Sequence, residues 1–197
     1  DAPPPAGNGY EGSMVTPLVA NFTDDDKSGE INLCDIPDVI VTSNGGPIAA
    51  NGKIYMLAGN TGQLEVTFDG IVDGSVNPAL GDVDGDGDLD IAVLGYYVVY
   101  NQSVEDRLVL LRNDGMGTQG EWNFTHISVP LGTLSTGASD LAWGDADGDG
   151  DQDLAVGTDG ATAIFRNDAG TLAVTDTELP AYWEENDQAD FDLRSIS

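Results

Sequence analysis

The fold of this chain is decided by the stretch Asp82-Val83-Asp84-Gly85-Asp86-Gly87-Asp88-Leu89-Asp90, which returns as Asp145-Ala146-Asp147-Gly148-Asp149-Gly150-Asp151-Gln152-Asp153. An apolar triplet follows each string, Ile91-Ala92-Val93 after the first and Leu154-Ala155-Val156 after the second. The pattern therefore recurs after roughly 60 residues. A period of this size, built of short strands, indicates β-propeller blades or a related β array.

A third, degenerate copy lies roughly one period earlier. It begins with Leu18-Val19-Ala20-Asn21, continues through Asp24-Asp25-Asp26-Lys27-Ser28-Gly29-Glu30-Ile31, and ends with Asp38-Val39-Ile40-Val41. Asp38 stands directly before an apolar run, as Asp90 does in the second copy. The sequence thus predicts three repeats.

Each copy predicts four short strands, and no stretch shows a helical period with caps, so the expected fold class is all-β. The first strand runs into the acidic loop and the second leaves it as an apolar run. A turn is predicted after each third strand, including Asn113-Asp114-Gly115 in the second copy. The predicted strands are residues 17–22, 38–42, 54–57, 64–68, 78–81, 90–94, 108–111, 122–127, 140–144, 153–157, 163–165 and 172–175.

The alternating carboxylates predict a calcium loop, because Ca²⁺ takes six to eight oxygens at about 2.3–2.6 Å. A glycine in such a loop supplies the backbone geometry of the sharp turn. Zinc would want His or Cys, and Mg²⁺ seldom uses all-protein cages. The predicted side-chain ligands are Asp82, Asp84, Asp86 and Asp90 in one loop and Asp145, Asp147, Asp149 and Asp153 in the other, with backbone carbonyls from Asp88 and Asp151.

The acidic segment of the first copy is arranged differently, as an EF-hand-like loop without flanking helices. Its candidate ligands are Asp24, Asp26, Ser28, Glu30 and Asp35. The last position holds Asp instead of the usual bidentate Glu, and either Asp35 or Asp38 could supply the closing ligand. The other interpretation is a vestigial loop held by Lys27 and hydrogen bonds.

The composition excludes several classes of protein. Among 197 residues there are 35 Asp plus Glu and 6 Lys plus Arg, a formal net charge of −29. Nucleic acids are bound through clustered Lys and Arg, so no nucleic-acid partner is expected. The apolar runs are shorter than the ~20 residues of a membrane-spanning helix, so no membrane insertion is expected.

The single cysteine, Cys34, permits no internal disulfide and is expected to be a small buried residue. A reactive thiol or an intermolecular disulfide is the alternative. Asn21, Asn101 and Asn123 begin N-glycosylation sequons, which give weak support for secretion.

The motif Asp-x-Asp-Gly-Asp-Gly-Asp-x-Asp with its apolar triplet resembles the FG-GAP/VCBS-type repeat of integrin-α-like β-propellers. Trp143-Gly144 before the third loop, and Arg112-Asn113-Asp114-Gly115 and Arg166-Asn167-Asp168 after the loops, fit the VCBS variant. The likeness covers roughly residues 14–180. It implies loops that bind Ca²⁺ and brace each blade, in mostly extracellular proteins of adhesion, carbohydrate binding or secreted-enzyme accessory modules.

The expected organisation is an extended lead-in at 1–13, blades at 14–76, 77–135 and 136–180, and a tail or start of a further blade at 181–197. Closed propellers need at least four blades. We therefore expect either a fragment of a longer propeller or a subunit that neighbouring chains complete. Open strand edges favour self-association into an oligomer or polymer.

The expected function is a non-enzymatic, Ca²⁺-stabilised module, secreted or at the cell surface, for adhesion to a protein or glycan partner or for self-assembly. One alternative is a lectin that uses the aromatic segment Tyr96–Tyr100, and another is an accessory part of a secreted polysaccharide-degrading enzyme. The only histidine, His126, is expected to be a structural or surface residue, because no nucleophile or orienting acid accompanies it in a motif.

Overall fold

A computed structural model describes residues 13, 15–43, 52–68, 72–74, 76–99, 103–117, 122–131, 138–158 and 162–179. These residues form strands, turns and loops without a helix, so the all-β prediction is confirmed. The strands are β1 (Leu18–Ala20), β2 (Asp38–Ser43), β3 (Lys53–Leu57), β4 (Leu64–Thr67), β5 (Ala79–Gly81), β6 (Asp90–Val99), β7 (Ser103–Met116), β8 (Trp122–Pro130), β9 (Ala138–Gly144), β10 (Asp153–Thr158), β11 (Thr162–Asp168) and β12 (Thr171–Leu179).

The strands form three antiparallel four-stranded sheets in which sequence neighbours pair with each other. Sheet 1 contains β1 to β4, sheet 2 contains β5 to β8, and sheet 3 contains β9 to β12. None of the three described sheets closes into a barrel. Their strands lie within the segments 14–76, 77–135 and 136–180 that the repeats predict.

The register of the first strand pair is the same in all three sheets. Ala20 pairs with Asp38, Gly81 with Asp90 and Gly144 with Asp153. In each sheet the acidic loop therefore joins the end of the first strand to an aspartate that opens the second. The copies superpose residue by residue at this point, although the first loop is longer.

The core lies between the sheets, and sheet 2 is covered on both faces. Side chains alternate across a strand, so Ile91 and Val93 of β6 pack toward sheet 1, while Ala92 and Leu94 pack toward sheet 3. The cluster between sheets 1 and 2 also contains Phe22, Ile40, Ile54, Met56, Phe68, Val72, Val109 and Leu111. The cluster between sheets 2 and 3 also contains Val76, Val83, Leu108, Leu110, Leu131, Leu141, Leu154, Val156, Ala163 and Phe165.

The second repeat departs from the prediction at the end of its third strand. Asn113-Asp114-Gly115 is not a hairpin turn but lies inside β7, where the register to β8 shifts between Asn113 and Met116. Gly115 has φ 73°, and its N–H donates to the Asn113 side-chain oxygen at 3.1 Å. A left-handed glycine of this kind produces a β-bulge, so the strand continues past the residues that predict a turn.

Some predictions about single residues are corrected by the structure and others lie outside it. Cys34 is exposed, so the expectation of a buried cysteine is wrong. It lies in the long first loop, where the adjacent Leu33 is 98% exposed as well. His126 is exposed on β8, as expected. Residues 1–12, 14, 100–102 and 180–197 lie outside the described residues, and with them the lead-in, Tyr100, Asn101 and the tail.

Candidate metal centre

Three groups of carboxylates have oxygens within 4.8 Å of one another. They are Asp24, Asp26 and Asp35; Asp82, Asp84 and Asp86; and Asp145, Asp147 and Asp153. Each group lies at the connection between the first and second strands of its sheet, and Asp153 is itself the first residue of β10. The three acidic clusters could each hold a metal ion, and their donors are all oxygen, the ligand type of hard divalent cations.

The backbone of the second loop wraps around its first carboxylate. The N–H groups of Gly85 and Gly87 donate to the two oxygens of Asp82 at 2.8 and 3.0 Å. Both glycines have positive φ, 76° and 97°, a conformation in which a side chain is strained. The third loop repeats the arrangement, since the N–H of Gly148 donates to Asp145 at 2.6 Å. The glycines of the motif therefore fix the loop conformation through hydrogen bonds within the protein.

The remaining carboxylates of the second loop repel one another. Burial raises the pKa of Asp84, and the charge of Asp86 raises it further. The pKa of Asp88 is also raised, by burial and by the charges of the other loop aspartates. The Oδ1 atom of Asp84 is buried and has no hydrogen-bond partner. An acidic cluster with a buried, unpartnered oxygen fits a bound cation.

The aspartate that opens the second strand is held by backbone amides. Both oxygens of Asp90 accept N–H groups, from Val83 and from Asn113, each at 2.7 Å. Asp153 accepts the N–H of Ala146 at 2.8 Å and that of Asn167 at 2.9 Å.

These two equivalent aspartates differ in their relation to the clusters and in pKa. The structure brings Asp153 together with Asp145 and Asp147, but does not group Asp90 with the other carboxylates of its loop. Burial raises the pKa of Asp90 to about 7. Burial acts in the same direction on Asp153, but its two backbone hydrogen bonds and the Arg166 charge outweigh it and lower the pKa.

The other predicted ligands lie on the loop surface. Asp149 is exposed, and its Oδ1 accepts the N–H of Asp151 at 2.9 Å. The side chain of Asp151 turns toward the neighbouring hairpin, where it accepts the N–H of Ala169 at 3.0 Å. The backbone-carbonyl role expected for Asp151 stays a prediction.

The first loop groups Asp35, and not Asp38, with Asp24 and Asp26. Asp24 accepts the N–H groups of Ser28 and Gly29 at 2.9 and 2.7 Å. Burial acts to raise the pKa of Asp24, but these hydrogen bonds outweigh it, and the pKa is lowered.

Asp35 closes the first loop from its far end. Its two oxygens accept the N–H groups of Asp26 and Asn32 at 3.3 and 2.7 Å. Ser28 Oγ donates to the carbonyl of Glu30 at 3.0 Å, so these two candidate ligands also contact each other. Of the two closing ligands left open by the sequence, Asp35 is the one in position.

Arginines stand beside the acidic clusters of the second and third loops. Arg112 Nε lies 3.5 Å from Asp84 and 2.7 Å from Asp114. Arg166 Nη1 lies 2.6 Å from Asp147. Each arginine directly follows the third strand's apolar residues and partly offsets the charge of the loop. The sequence motif contained both residues, but their pairing with the loops needed the structure.

An asparagine after each arginine links neighbouring repeats. We call Asn113 and Asn167 the asparagine clamps. Asn167 Nδ2 donates to the carbonyl of Val83 in the second loop at 2.6 Å, and Asn113 Nδ2 donates to the carbonyl of Phe22 in the first repeat at 3.3 Å. Both asparagines are buried. Sequence reasoning missed this role, although their recurrence at one place in the repeat was the available signal.

The second and third loops also meet each other directly. Gln152 Oε1 accepts the N–H of Asp82 at 3.2 Å. A crevice of about 200 Å³ lies between the two loops, and its lining residues are Asp82, Val83, Gly85, Gly150, Asp151, Gln152 and Asn167. The crevice therefore presents carboxylate and amide groups of two loops to one space.

The glycosylation candidates differ in accessibility. Asn21 is half-buried, and its side chain donates to the carbonyl of Asn32. Asn123 is exposed on β8. Of the two described sequons, the second is thus the more accessible, while Asn101 lies outside the described residues. The described part of the chain contains no helix long and apolar enough to cross a membrane.

Comparison with known proteins gives one distant structural likeness to report. No protein-family model and no curated protein sequence matches the chain. A crystal structure of the V. cholerae biofilm matrix protein Bap1 is similar with a TM-score of 0.45 and 21% sequence identity. The similarity covers 83% of this chain and 31% of that one, so the chain spans less than a third of the Bap1 structure's length.

Proposed function

We propose that this chain is a non-enzymatic, Ca²⁺-stabilised extracellular module, built of FG-GAP/VCBS-type blades, that acts in adhesion or structural assembly. The observation that carries the proposal is the placement of the acidic clusters. Three of them occupy the same loop of three sheets that share one register. A repeated structural unit with a repeated oxygen cluster is typical of metal-braced β arrays.

The role of the metal in this proposal is electrostatic. When bound, a divalent cation supplies positive charge that offsets the repulsion within each cluster. The candidate ligands are Asp24, Asp26 and Asp35 in the first loop, Asp82, Asp84 and Asp86 in the second, and Asp145, Asp147 and Asp153 in the third. Asp88, Asp90, Asp149, Asp151, Ser28 and Glu30 lie in or beside these loops and remain candidates through side-chain or backbone oxygens.

Hydrogen bonds and shared residues connect each ordered loop to the sheets. The glycine amides fix the first carboxylate, and Asp153 joins the cluster to the start of β10. Asn167 then connects the third sheet to Val83 in the neighbouring loop. A rigid loop thus stabilises both its own sheet and the next one, which suits a load-carrying surface module better than an enzyme.

The extracellular location follows from the proposed metal and from charge. Extracellular calcium modules bind with Kd on the order of 10⁻⁴–10⁻³ M, matched to the calcium level outside cells. Even with three Ca²⁺ bound, a chain of net charge −29 remains strongly acidic. Such a surface keeps the module soluble and disfavours anionic lipid and nucleic acid.

Binding of Ca²⁺ is tested by isothermal titration of the metal-free chain with CaCl₂. We expect binding that Asp147→Asn weakens, because Asp147 belongs to the third cluster. Asp168→Asn is the matched control, an exposed aspartate on β11 outside the three clusters. Absence of calcium binding by the unaltered chain, or equal losses in both variants, would contradict the proposal.

Assembly through sheet faces is supported by the outward sides of the terminal sheets. In sheet 1, Val39 and Val41 alternate with buried Ile40 and lie half-buried on the face turned away from sheet 2. Val19 pairs with Val39 on that face and is 64% exposed. Ala155 and Ile164 occupy the outward face of sheet 3. In sheet 2 both apolar faces are buried against neighbouring sheets. The outward faces of sheets 1 and 3 could be buried in the same way by another copy of the chain.

Light scattering with 5–10 mM Ca²⁺ (on the order of saturation) tests the assembly. Val19→Asp is expected to reduce association, because it places a charge on the outward face of sheet 1. Val174→Asp is the control, a valine of sheet 3 that is 47% exposed and pairs with Phe165. A chain that stays monomeric at high protein concentration would leave adhesion as the function and refute self-assembly.

Carbohydrate binding is the second candidate function, and the crevice between the second and third loops favours it. Its carboxylate and amide groups are of the kind that bind sugar hydroxyls. A glycan array should then show binding that Gln152→Ala reduces and Asn123→Ala does not. Equal signals for both variants would remove the crevice as the binding site.

A further inference from the structure

The first repeat differs from the other two at Asp38, the residue that opens its second strand. Asp38 is 1% exposed. Its Oδ2 accepts the N–H of Phe22 at 3.2 Å and the hydroxyl of Thr23 at 2.9 Å, whereas its Oδ1 is buried without a hydrogen-bond partner. The equivalent aspartates Asp90 and Asp153 have backbone amides on both oxygens. Among the three aspartates that open a second strand, Asp38 is the one with a buried carboxylate oxygen that has no partner.

The first repeat also differs at the end of β3. Register places Leu57 opposite Val39, as Leu111 lies opposite Ile91. Ala58 and Gly59 therefore stand where the second and third repeats have the arginine and the asparagine clamp. A Cβ at Gly59 would lie 1.8 Å from the Pro37 carbonyl oxygen, so no asparagine fits without a backbone shift. The first repeat thus lacks both the asparagine side chain and the arginine that the other two repeats carry at this place.

A second carboxyl group approaches Asp38 instead. The Glu65 carboxyl on β4 lies within side-chain hydrogen-bonding range of Asp38, and the negative charge of Asp25 acts on both groups. Burial raises the pKa of Asp38; burial, followed by the Asp38 charge, raises the pKa of Glu65 to about 7. In the described part of the chain, neither carboxyl forms an ion pair with a lysine or arginine. The two acids thus meet without a fixed positive charge.

We propose that Asp38 Oδ1 and the Glu65 carboxylate bind a divalent cation of the calcium class at a site separate from the loop of Asp24, Asp26 and Asp35. The donors are all oxygen, and one of them is buried with no other partner, which favours a hard cation. Asp35 closes the loop cluster, and Asp38 is not part of it. Two carboxylates leave further coordination positions to water. The site does not depend on the proposed function of the loops.

The test is the number of Ca²⁺ ions bound per chain, measured by titration calorimetry and by direct metal analysis after gel filtration in CaCl₂. Glu65→Gln is expected to remove one ion and to leave the others. Asp168→Asn, an exposed carboxylate elsewhere, is expected to bind as many ions as the unaltered chain. Asp35→Asn should remove a different ion, so the double variant with Glu65→Gln should lose two.

Glu65→Ala provides a second variant. It removes the same carboxylate without leaving an amide oxygen in its place, and we expect it to lose the ion as Glu65→Gln does. Circular dichroism with and without Ca²⁺ identifies a variant that has not folded. The ion count of the other variant then tests the proposed site. If the loops bind nothing, the unaltered chain should still bind one ion that Glu65→Gln abolishes.

An unchanged number of ions in both Glu65→Gln and Glu65→Ala would overturn the proposal. The two carboxyls would then share a proton, and proton uptake near neutral pH would persist in saturating Ca²⁺. Loss of one ion in both variants, with Asp168→Asn unchanged, would support the site.

Discussion

Replacing the clamp residue Asn167 by alanine is the sharpest test of how the repeats are joined. Asn167 is 3% exposed. Its Nδ2 donates to the carbonyls of Val83 at 2.6 Å and Gln152 at 3.1 Å, and its Oδ1 accepts the N–H of Gly170 at 2.9 Å. Asn167→Ala removes all three hydrogen bonds but keeps the backbone N–H that binds Asp153.

The expected cost follows from these three bonds. A buried hydrogen bond contributes about 1 kcal/mol net, and more where its partner is left unsatisfied. We therefore expect a loss of about 3 kcal/mol in the free energy of unfolding. For a chain of this size, each kcal/mol lowers the Tm by roughly 2–4 °C, so the expected shift is about 6–12 °C.

Urea titration followed by circular dichroism, with a parallel thermal melt in CaCl₂, measures this loss. Asn113→Ala should cost less, because Asn113 makes one side-chain donation at 3.3 Å and accepts one N–H at 3.1 Å. Asn123→Ala, an exposed asparagine on β8, is the control and should change the stability by less than about 0.5 kcal/mol. A loss below about 1 kcal/mol for Asn167→Ala would refute the view that the clamp joins the repeats.

Three further predictions concern the loops and the core. Excess chelator should lower the Tm relative to saturating CaCl₂, since a site at 100 times its Kd contributes about 2.7 kcal/mol; an unchanged melt would contradict calcium bracing. Gly87→Ala should cost about 1–2 kcal/mol by urea unfolding, because Gly87 has φ 97° with open space around it. Gly144→Ala, equally uncrowded but without positive φ, should be near neutral, and equal costs would argue against backbone strain. Leu154→Ala, at a site that is 0% exposed, should cost about 2–5 kcal/mol in the same assay, and a small loss would place the core elsewhere.

The strands were predictable because their pattern is local. Asp38–Thr42 and Asp153–Gly157 each contain a short apolar run after the leading aspartate. Such a run is enough to predict a buried strand. The turn predicted at Asn113-Asp114-Gly115 was wrong because its outcome depends on pairing with another strand and not on the local sequence alone. Those residues suit a turn, but Gly115 in a left-handed conformation equally permits a bulge, and pairing with β8 decided between them.

The candidate site was predictable in its ligand type and only partly in its ligand set. Spacing places Asp82, Asp84 and Asp86 together, as the structure does. Spacing does not say that Asp153 joins its cluster while Asp90 stays apart, or that Asp35 closes the first loop. Those differences depend on where the folded loops place each carboxylate, which spacing along the chain does not specify.

The sequence by itself determined the all-β class, the three repeats and the oxygen character of the acidic loops. These properties follow from periodicity and residue type, which act within a few residues along the chain. The tertiary structure alone decided that sheet 2 is buried on both faces, that Asn167 reaches Val83, and that Asp38 meets Glu65. Such contacts join residues far apart in the chain, and only the stacking of the sheets brings them within hydrogen-bonding or electrostatic range.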